Sequence, residues 1–456
     1  MTTQTIHDQG TPDVTKFCDA LELNGFHGLL LLLGMLTLIF DGYDSQIIAY
    51  VMPNIIKEWH LTPLQAGSIA SYGLVGLMIG TSGLGMLADR IGRKIPLLLG
   101  LFLFSFFGGA LYWTHDFKLF CILRFCSGLG IGGVLTLTIT VATEFAPAKI
   151  RASLVAIMFA GFMVGAALAG VVSMIFVPNY GWRIVLLFAY LPLAFLPVLY
   201  LFLPESIRFL AQKGRFDDAI RVLRKIEKSA GVAPQQWTKA SFALSFAGSA
   251  GLKQLFTPRL AVMTLLVWLV YFFNLLVIYG VTTWLPTLLV ASGIPASRSY
   301  IYTSLNHIGG AAGTIAIGFL MDRFGRKPSL VYSYLLAGLT VSLFGVISAS
   351  PVGLSMLIAT AGFFVNGAQS AQHAVVGEIY PTFVRSTGVG WALTMGRFGA
   401  VCGPLLGGWI QSKNYSFNHY FLLFAVPCVL CALVVCFYRV NVKGEALETV
   451  EMKIRD

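Results

Sequence analysis

The stretch Gly-Met-Leu-Ala-Asp-Arg-Ile-Gly-Arg-Lys at residues 85–94 returns as Gly-Phe-Leu-Met-Asp-Arg-Phe-Gly-Arg-Lys at residues 318–327, displaced by 233 positions. A second pair keeps nearly the same offset: Glu144-Phe-Ala-Pro147 leading to Arg151 reappears as Glu378-Ile-Tyr-Pro381 leading to Arg385, displaced by 234. Two independent matches at one spacing point to a duplicated chain.

What flanks these copies sets the solvent. Only 11% of the 456 residues are charged and 57% are hydrophobic, against roughly a quarter charged in an ordinary soluble domain. Such a surface calls for lipid around it. A helix needs about 20 mainly apolar residues to cross the hydrocarbon layer. Twelve such segments are predicted at 26–50, 64–86, 96–113, 119–140, 153–176, 184–203, 260–282, 300–320, 329–348, 353–375, 387–410 and 419–438. The fold class is therefore an all-α membrane protein of twelve transmembrane helices in two six-helix, pseudo-symmetric bundles.

The expected organisation is an N-terminal segment 1–25, a first bundle 26–203, a linker 204–258, a second bundle 259–438 and a tail 439–456. Loops on the side shared by both termini carry twenty-four of the 31 Lys and Arg residues and the opposite loops five, with Arg124 and Arg397 inside spans. That bias places both termini in the cytoplasm of an inner-membrane protein. The net charge of +11 could suggest nucleic acid, but the cations are scattered between apolar runs instead of clustering on a soluble face, so nucleic acid is excluded as a partner. Residues 1–25 lack the basic start and cleavage site of a secretory signal, so the first span is read as its own insertion signal. In the linker, Phe216, Ile220 and Leu223 share a helical face within a basic stretch, which looks like an amphipathic helix on the cytoplasmic surface joining the halves, and a solvated linker without catalytic duty is the favoured account of it. Seven cysteines lie mostly inside apolar runs. Cys428 and Cys431 form a CxxC with no second pair or histidine beside it, so neither a metal nor a cofactor is expected.

The repeated charges are candidate gating residues: Asp89, Arg90, Arg93, Glu144 and Arg151, with Asp322, Arg323, Arg326, Glu378 and Arg385 in the second copy. Their glycines permit a tight turn, and their charges can bridge helix ends and latch one conformation. Topogenic charge alone is the plainer account of the same residues. The motif resembles the loop signature of the major facilitator superfamily, as do Arg124-Phe-Cys-Ser-Gly128-Leu-Gly130, the glycine-rich 161–170 and Pro204-Glu205-Ser206. Asp41-Gly42-Tyr43-Asp44 resembles the signature of the aromatic acid:proton symporter family within it, of the benzoate, 4-hydroxybenzoate and protocatechuate type. The resemblance implies a membrane transporter working by alternating access, not an enzyme. Its expected cargo is a small aromatic carboxylate, imported with protons, and the chain is expected to act as a monomer in lipid.

Charges at membrane depth that occur in only one half are the candidates for asymmetric work. The repeat offset turns Asp41 into Asn274, Asp44 into Val277 and Arg124 into Ile358. A mid-bilayer charge costs about 2.5–3.5 kcal/mol, so such residues face a cavity or pair. Asp41 and Asp44, three apart, share a helix face. Two carboxylates held close in poorly hydrated space repel each other, which suits one of them to cyclic protonation. Arg124 offers a planar fork to a carboxylate, whether of the cargo or of Asp41, and the resemblance implies pairing between the first-helix acid and this arginine. Arg397 is a second anion ligand, or an arginine snorkelling to the interface. The predicted substrate lining adds Tyr43, Phe159, Trp268, Asn274, His307, Gln369, His373 and Trp391, with Tyr279 in a wider set. Packing against lipid or protein would equally explain any one of these aromatics. Sugar, polyol or cyclic hydroxy-acid transport, and drug efflux, remain open alternatives. A membrane enzyme built on His307 and His373 lacks a paired carboxylate–histidine motif.

Overall fold

The structure, a computed structural model, describes residues 13–147, 150–242, 252–258, 260–345, 350–380, 382–413 and 415–438. A short helix α1 (Val14–Ala20) precedes α2 (Gly25–Trp59), α3 (Pro63–Ile91), α4 (Lys94–Ala110), α5 (Phe117–Phe145), α6 (Arg151–Tyr180) and the broken pair α7 (Ile184–Leu187) and α8 (Leu191–Phe202). Linker helices α9 (Ile207–Gln212) and α10 (Phe216–Ala230) lead to α11 (Ala261–Ala291), α12 (Ala296–Phe324), α13 (Arg326–Ser342), α14 (Pro351–Ile379), α15 (Thr382–Ser412) and α16 (Phe417–Cys436). Every predicted span becomes a helix, and most run several residues longer than expected because caps extend them. Thr62 and Gln65 close a capping box ahead of Pro63, and Asp116 caps α5 through the amide of Leu119 at 2.8 Å.

Among the described residues, nine helical stretches are long and apolar enough to cross a membrane by length and composition. Helices α12, α13 and α15 fall outside that count: α12 carries the buried Asn306 and His307, α13 is 17 residues long, and α15 is rich in glycine and carries Arg397. Each packs among the spans as its repeat partner does: α3 lies on α5 and α12 on α14, α2 on α6 and α11 on α15. Between the bundles α3 meets α15, α6 meets α12, and α2 meets α11, so the repeat operation exchanges the first two contacts and maps the third onto itself.

The duplication extends to backbone contacts. A Cβ on Gly80 would lie 2.0 Å from the carbonyl oxygen of Leu129, and one on its counterpart Gly313 would lie 2.0 Å from that of Phe363. In lipid there is no hydrophobic force between helices, so such close approach supplies the dispersion contacts that hold each bundle together. The repeated motif glycines also share a conformation, with φ of +100° at Gly92 and +90° at Gly325, which only glycine adopts readily.

The linker departs from expectation. Helix α10 does not lay its apolar face on the membrane: Ala219, Leu223 and Ile226 are buried in a protein core with Val14 and Phe17 of α1, Phe209 and Leu210 of α9, and Trp237. Phe17 meets the Trp237 ring edge-on at 5.1 Å, and the buried Glu227 accepts from Trp237 Nε1 at 2.8 Å and the Gln235 amide at 2.9 Å. Ser229 Oγ accepts from the Phe26 amide at 2.7 Å, tying this cap to the start of α2. The amphipathic pattern was readable, but its partner is the helix Val14–Ala20, inside the stretch expected only as an N-terminal segment.

Candidate functional site

Helix α2 carries Asp41 and Asp44 into the interior, where they are 0% and 2% exposed, and α5 brings Arg124, 5% exposed, across from them. Arg124 Nη1 donates to Asp44 Oδ2 at 3.0 Å, Nη2 donates to the Ser45 carbonyl at 3.3 Å, and Ser127 Oγ, one turn along α5, donates to Asp44 Oδ2 at 2.9 Å. The socket needs two glycines. A Cβ on Gly108 would stand 2.5 Å from Asp44 Oδ1, and one on Gly73 would stand 2.8 Å from Arg124 Nε.

Asp44, not Asp41, is therefore the partner of Arg124. Asp41 accepts only a long 3.5 Å contact from Ser45 Oγ, and its Oδ2 is buried without a partner among the described residues. One acid is held in an ion pair and the other makes no ion pair among the described residues. A small cavity of about 30 Å³, room for about one water, is lined by Ser45, Gln46, Gly73 and Arg124 from the first bundle and by Tyr279 and Thr283 from the second. Across the same interface, Arg397 lies within electrostatic range of Asp41 and Tyr279. That position is inconsistent with an arginine snorkelling to the membrane surface.

The other predicted lining residues divide. Tyr43 turns away, donating its hydroxyl to the Val185 carbonyl at 2.8 Å inside the first bundle. Asn274, the repeat counterpart of Asp41, faces α13 and donates to the Tyr334 hydroxyl at 2.9 Å. Trp268 and Trp391 lie 6.0 Å apart with their rings tilted by 30°, and His373 Nδ1 is 2.7 Å from the Tyr271 hydroxyl. His307 is buried with Nε2 unpartnered among the described residues, one turn along α12 from the interface residue Ser304. Phe159 and Gln369 are half-buried, and the structure brings neither into the ionic cluster. Sequence reasoning missed Ser127, Gly108 and Gly73. The only signal for Ser127 was its spacing of three from Arg124.

Of the repeated charges, Arg93 pairs with Glu144 and donates to Ser206 Oγ at 2.7 Å, while Glu205 accepts from the Arg93 amide at 2.7 Å at the start of α4. Arg151 is bonded to Asp19 at 2.5 Å. Asp89 and Arg90 are exposed, Arg323 stacks on Phe324 with 5.5 Å to the ring centroid, and Arg385 donates to the Tyr380 carbonyl at 3.3 Å. Arg326 opens α13. The side chains of Asp322 and Glu378 lie outside the described residues.

One expected result arises here. Arg124→Lys keeps the charge but cannot reach Asp44 and the Ser45 carbonyl together, so initial uptake should fall by roughly tenfold, the equivalent of one lost charge-assisted hydrogen bond. Unchanged uptake rates in reconstituted vesicles would count against the fork.

Two packed helical bundles with an ion pair and a lone carboxyl at their seam make up a multi-pass membrane carrier. The chain belongs to the Major Facilitator Superfamily, whose model matches residues 34–350 and 301–453. It is 36% identical to the gallate transporter of Pseudomonas putida over 93% of this chain and 94% of that one. It is also 35% identical to the benzoate transport protein of Acinetobacter baylyi, over 92% and 91% of the two chains. A 4-hydroxybenzoate transporter of Pseudomonas aeruginosa is 34% identical over 93% of this chain and 95% of its own. Among solved structures, the inward-open xylose transporter XylE of Escherichia coli superimposes with a TM-score of 0.72 at 22% identity, covering 94% of this chain and 99% of that one, which speaks to the fold alone.

Proposed function

We propose that this chain is a proton-coupled symporter that imports a small aromatic carboxylate of the benzoate or hydroxybenzoate class by alternating access. It resides in the inner membrane with both termini in the cytoplasm, and it acts as a monomer in lipid. The observation that carries the reading is the buried Asp41 carboxyl, with one oxygen unpartnered among the described residues, within electrostatic range of Arg397 and Tyr279 of the opposite bundle. The substrate class rests on the relatives, which are gallate, benzoate and 4-hydroxybenzoate transporters at 33–36% identity.

In this reading the cargo carboxylate docks on Arg397, which makes no ion pair among the described residues, while Asp44 keeps Arg124 occupied. Asp41 without its proton would compete for the same guanidinium, so cargo binding and protonation of Asp41 favour each other by linkage. Only the doubly loaded or empty seam lets the bundles rock about the α2–α11 contact. Trp268, Trp391, His307 and His373 supply aromatic faces and hydrogen-bond partners for the ring. The repeated loops, with Arg93–Glu144 and Arg151–Asp19 formed on the side of the termini, gate the inner end.

The test is uptake of radiolabelled 4-hydroxybenzoate, benzoate and xylose into proteoliposomes bearing an inward pH gradient, with and without a protonophore. Protonophore-sensitive accumulation of the aromatic acids and none of xylose is expected. Accumulation of the sugar, or accumulation of the acids indifferent to the protonophore, would overturn the reading.

A further inference from the structure

A second cavity lies far from the central seam, at the end of the molecule that carries both termini. It measures about 230 Å³, opens to the surface, and is bordered by α1, the end of α5, the start of α6 and α9. Its apolar walls are Val14, Cys18, Phe145 and Ile207. Burial beside Asp19 pushes the Cys18 thiol up to about 12, so this sulfur packs and does not react.

The polar lining is incomplete in a specific way. Glu144 gives one carboxylate oxygen to Arg93, but its Oε2 is buried with no partner among the described residues, and its side chain is only 9% exposed. Arg151 uses Nη2 on Asp19 and on the Ala146 carbonyl at 3.0 Å, while its Nε is likewise buried and unpartnered. Arg208, an exposed residue, also lines the cavity and makes no ion pair among the described residues. Buried donors and acceptors without partners are costly, so the unmet Glu144 acceptor and the unmet Arg151 donor, with the Arg208 charge at the mouth, describe the ligand that would meet them.

That ligand must be an anion for Arg151 and Arg208, must carry a hydroxyl to donate to Glu144, and must have an apolar body for the remaining walls. A dry cavity of about 150 Å³ already accepts a benzene ring, so about 230 Å³ leaves room for a ring with two small substituents. Inorganic phosphate offers the charge and the hydroxyl but leaves the apolar walls uncovered. We propose that this cavity is a second binding site, distinct from the transport seam, for a hydroxylated aromatic monocarboxylate. The identity of the ligand with the cargo rests on the transport reading above. The site's existence rests on the cavity.

The experiment is equilibrium binding of radiolabelled 4-hydroxybenzoate and benzoate to the full-length protein in nanodiscs, alongside uptake by the same variants. Wild type should bind two molecules of 4-hydroxybenzoate per chain. Arg208→Gln, and Thr15→Trp, which fills the cavity, should each bind one while retaining initial uptake within about twofold. Arg397→Gln should lose the central site and keep this one. Benzoate, without the donor for Glu144, should bind here about tenfold more weakly, the scale of one hydrogen bond to a charged group. A single site in wild type that vanishes in Arg397→Gln overturns the proposal and leaves the transport reading intact. So does stoichiometry unchanged in Arg208→Gln, or displacement by inorganic phosphate at equal concentration. Failure of uptake with an Arg208-dependent site still present would sink the transport reading instead.

Discussion

Asp41→Asn is expected to yield a folded carrier that still exchanges aromatic acid across the membrane but no longer concentrates it. The carboxyl is fully buried and makes one 3.5 Å contact, so an amide of the same shape replaces it with little disturbance. The amide mimics the protonated acid permanently, leaving Arg397 open to cargo in every state. One proton moving with one monoanion carries no net charge, so accumulation is driven by the pH gradient alone, at about 1.4 kcal/mol or tenfold per pH unit. At a gradient of one unit, wild-type vesicles should approach about tenfold accumulation, and Asp41→Asn should stay near unity while counterflow persists. Tenfold accumulation by the variant would remove Asp41 from the coupling step.

Asp44→Asn should behave differently, although the two acids look equivalent in sequence. Its removal leaves Arg124 buried without a counter-charge, which costs about 3–5 kcal/mol. The expected signature is a loss of folded protein in detergent, visible as early aggregation on size exclusion, before any question of coupling arises. A well-folded Asp44→Asn carrier would show that the pair contributes little to the fold.

The contrast between these acids marks what was legible before the structure. Twelve spans and their duplication were readable because lipid imposes length and apolarity on each segment separately, and because the Asp-Arg-x-Gly-Arg-Lys copies fix the repeat offset. The unduplicated charges Asp41, Asp44, Arg124 and Arg397 were readable as candidates, since each is costly at membrane depth. Their pairing was not. Whether Arg124 meets the acid at 41 or at 44 depends on how α2 and α5 are rotated against each other, and the one-turn spacing of the acids places both on the same stripe. Gly108 and Gly73 were equally hidden, because a glycine that makes room for a side chain on another helix looks like any other membrane glycine. Tyr43 sits between the two acids in sequence yet points into its own bundle, since neighbours on a helix are about 100° apart.

Gly67→Val should stop the carrier from closing the end opposite its termini, and transport should fall at least tenfold with it. At that end the bundles meet through backbone. A Cβ on Gly67 of α3 would stand 2.4 Å from the Pro404 carbonyl oxygen of α15, and one on Gly408 of α15 would stand 2.6 Å from the Pro63 carbonyl oxygen of α3. Two proline–glycine pairs thus interlock the same two helices in opposite senses. Hydrogen bonds across the seam hold the closure nearby: Ser71 Oγ donates to the Val401 carbonyl at 2.8 Å, Ser304 Oγ to the Ala167 carbonyl at 3.0 Å, and Asn54 Nδ2 to the Tyr300 hydroxyl at 3.1 Å. A branched side chain at position 67 meets fixed backbone, not a flexible side-chain tip, so α3 and α15 must separate and the Ser71–Val401 bond between them opens. About 1 kcal/mol for the lost bond adds to the overpacking cost of about 1–3 kcal/mol. A shift of about 3 kcal/mol between two conformations of similar energy would reduce the closed population by more than a hundredfold, and transport becomes limited by that population. Gly83→Ala on the same helix is the control, because a Cβ there meets nothing within 4 Å. The measurement is a distance distribution between spin labels placed on the α3 and α15 ends: Gly67→Val should populate the long distance and Gly83→Ala the short one. Wild-type distances and uptake in Gly67→Val would mean that the helix ends have slack the backbone contacts deny.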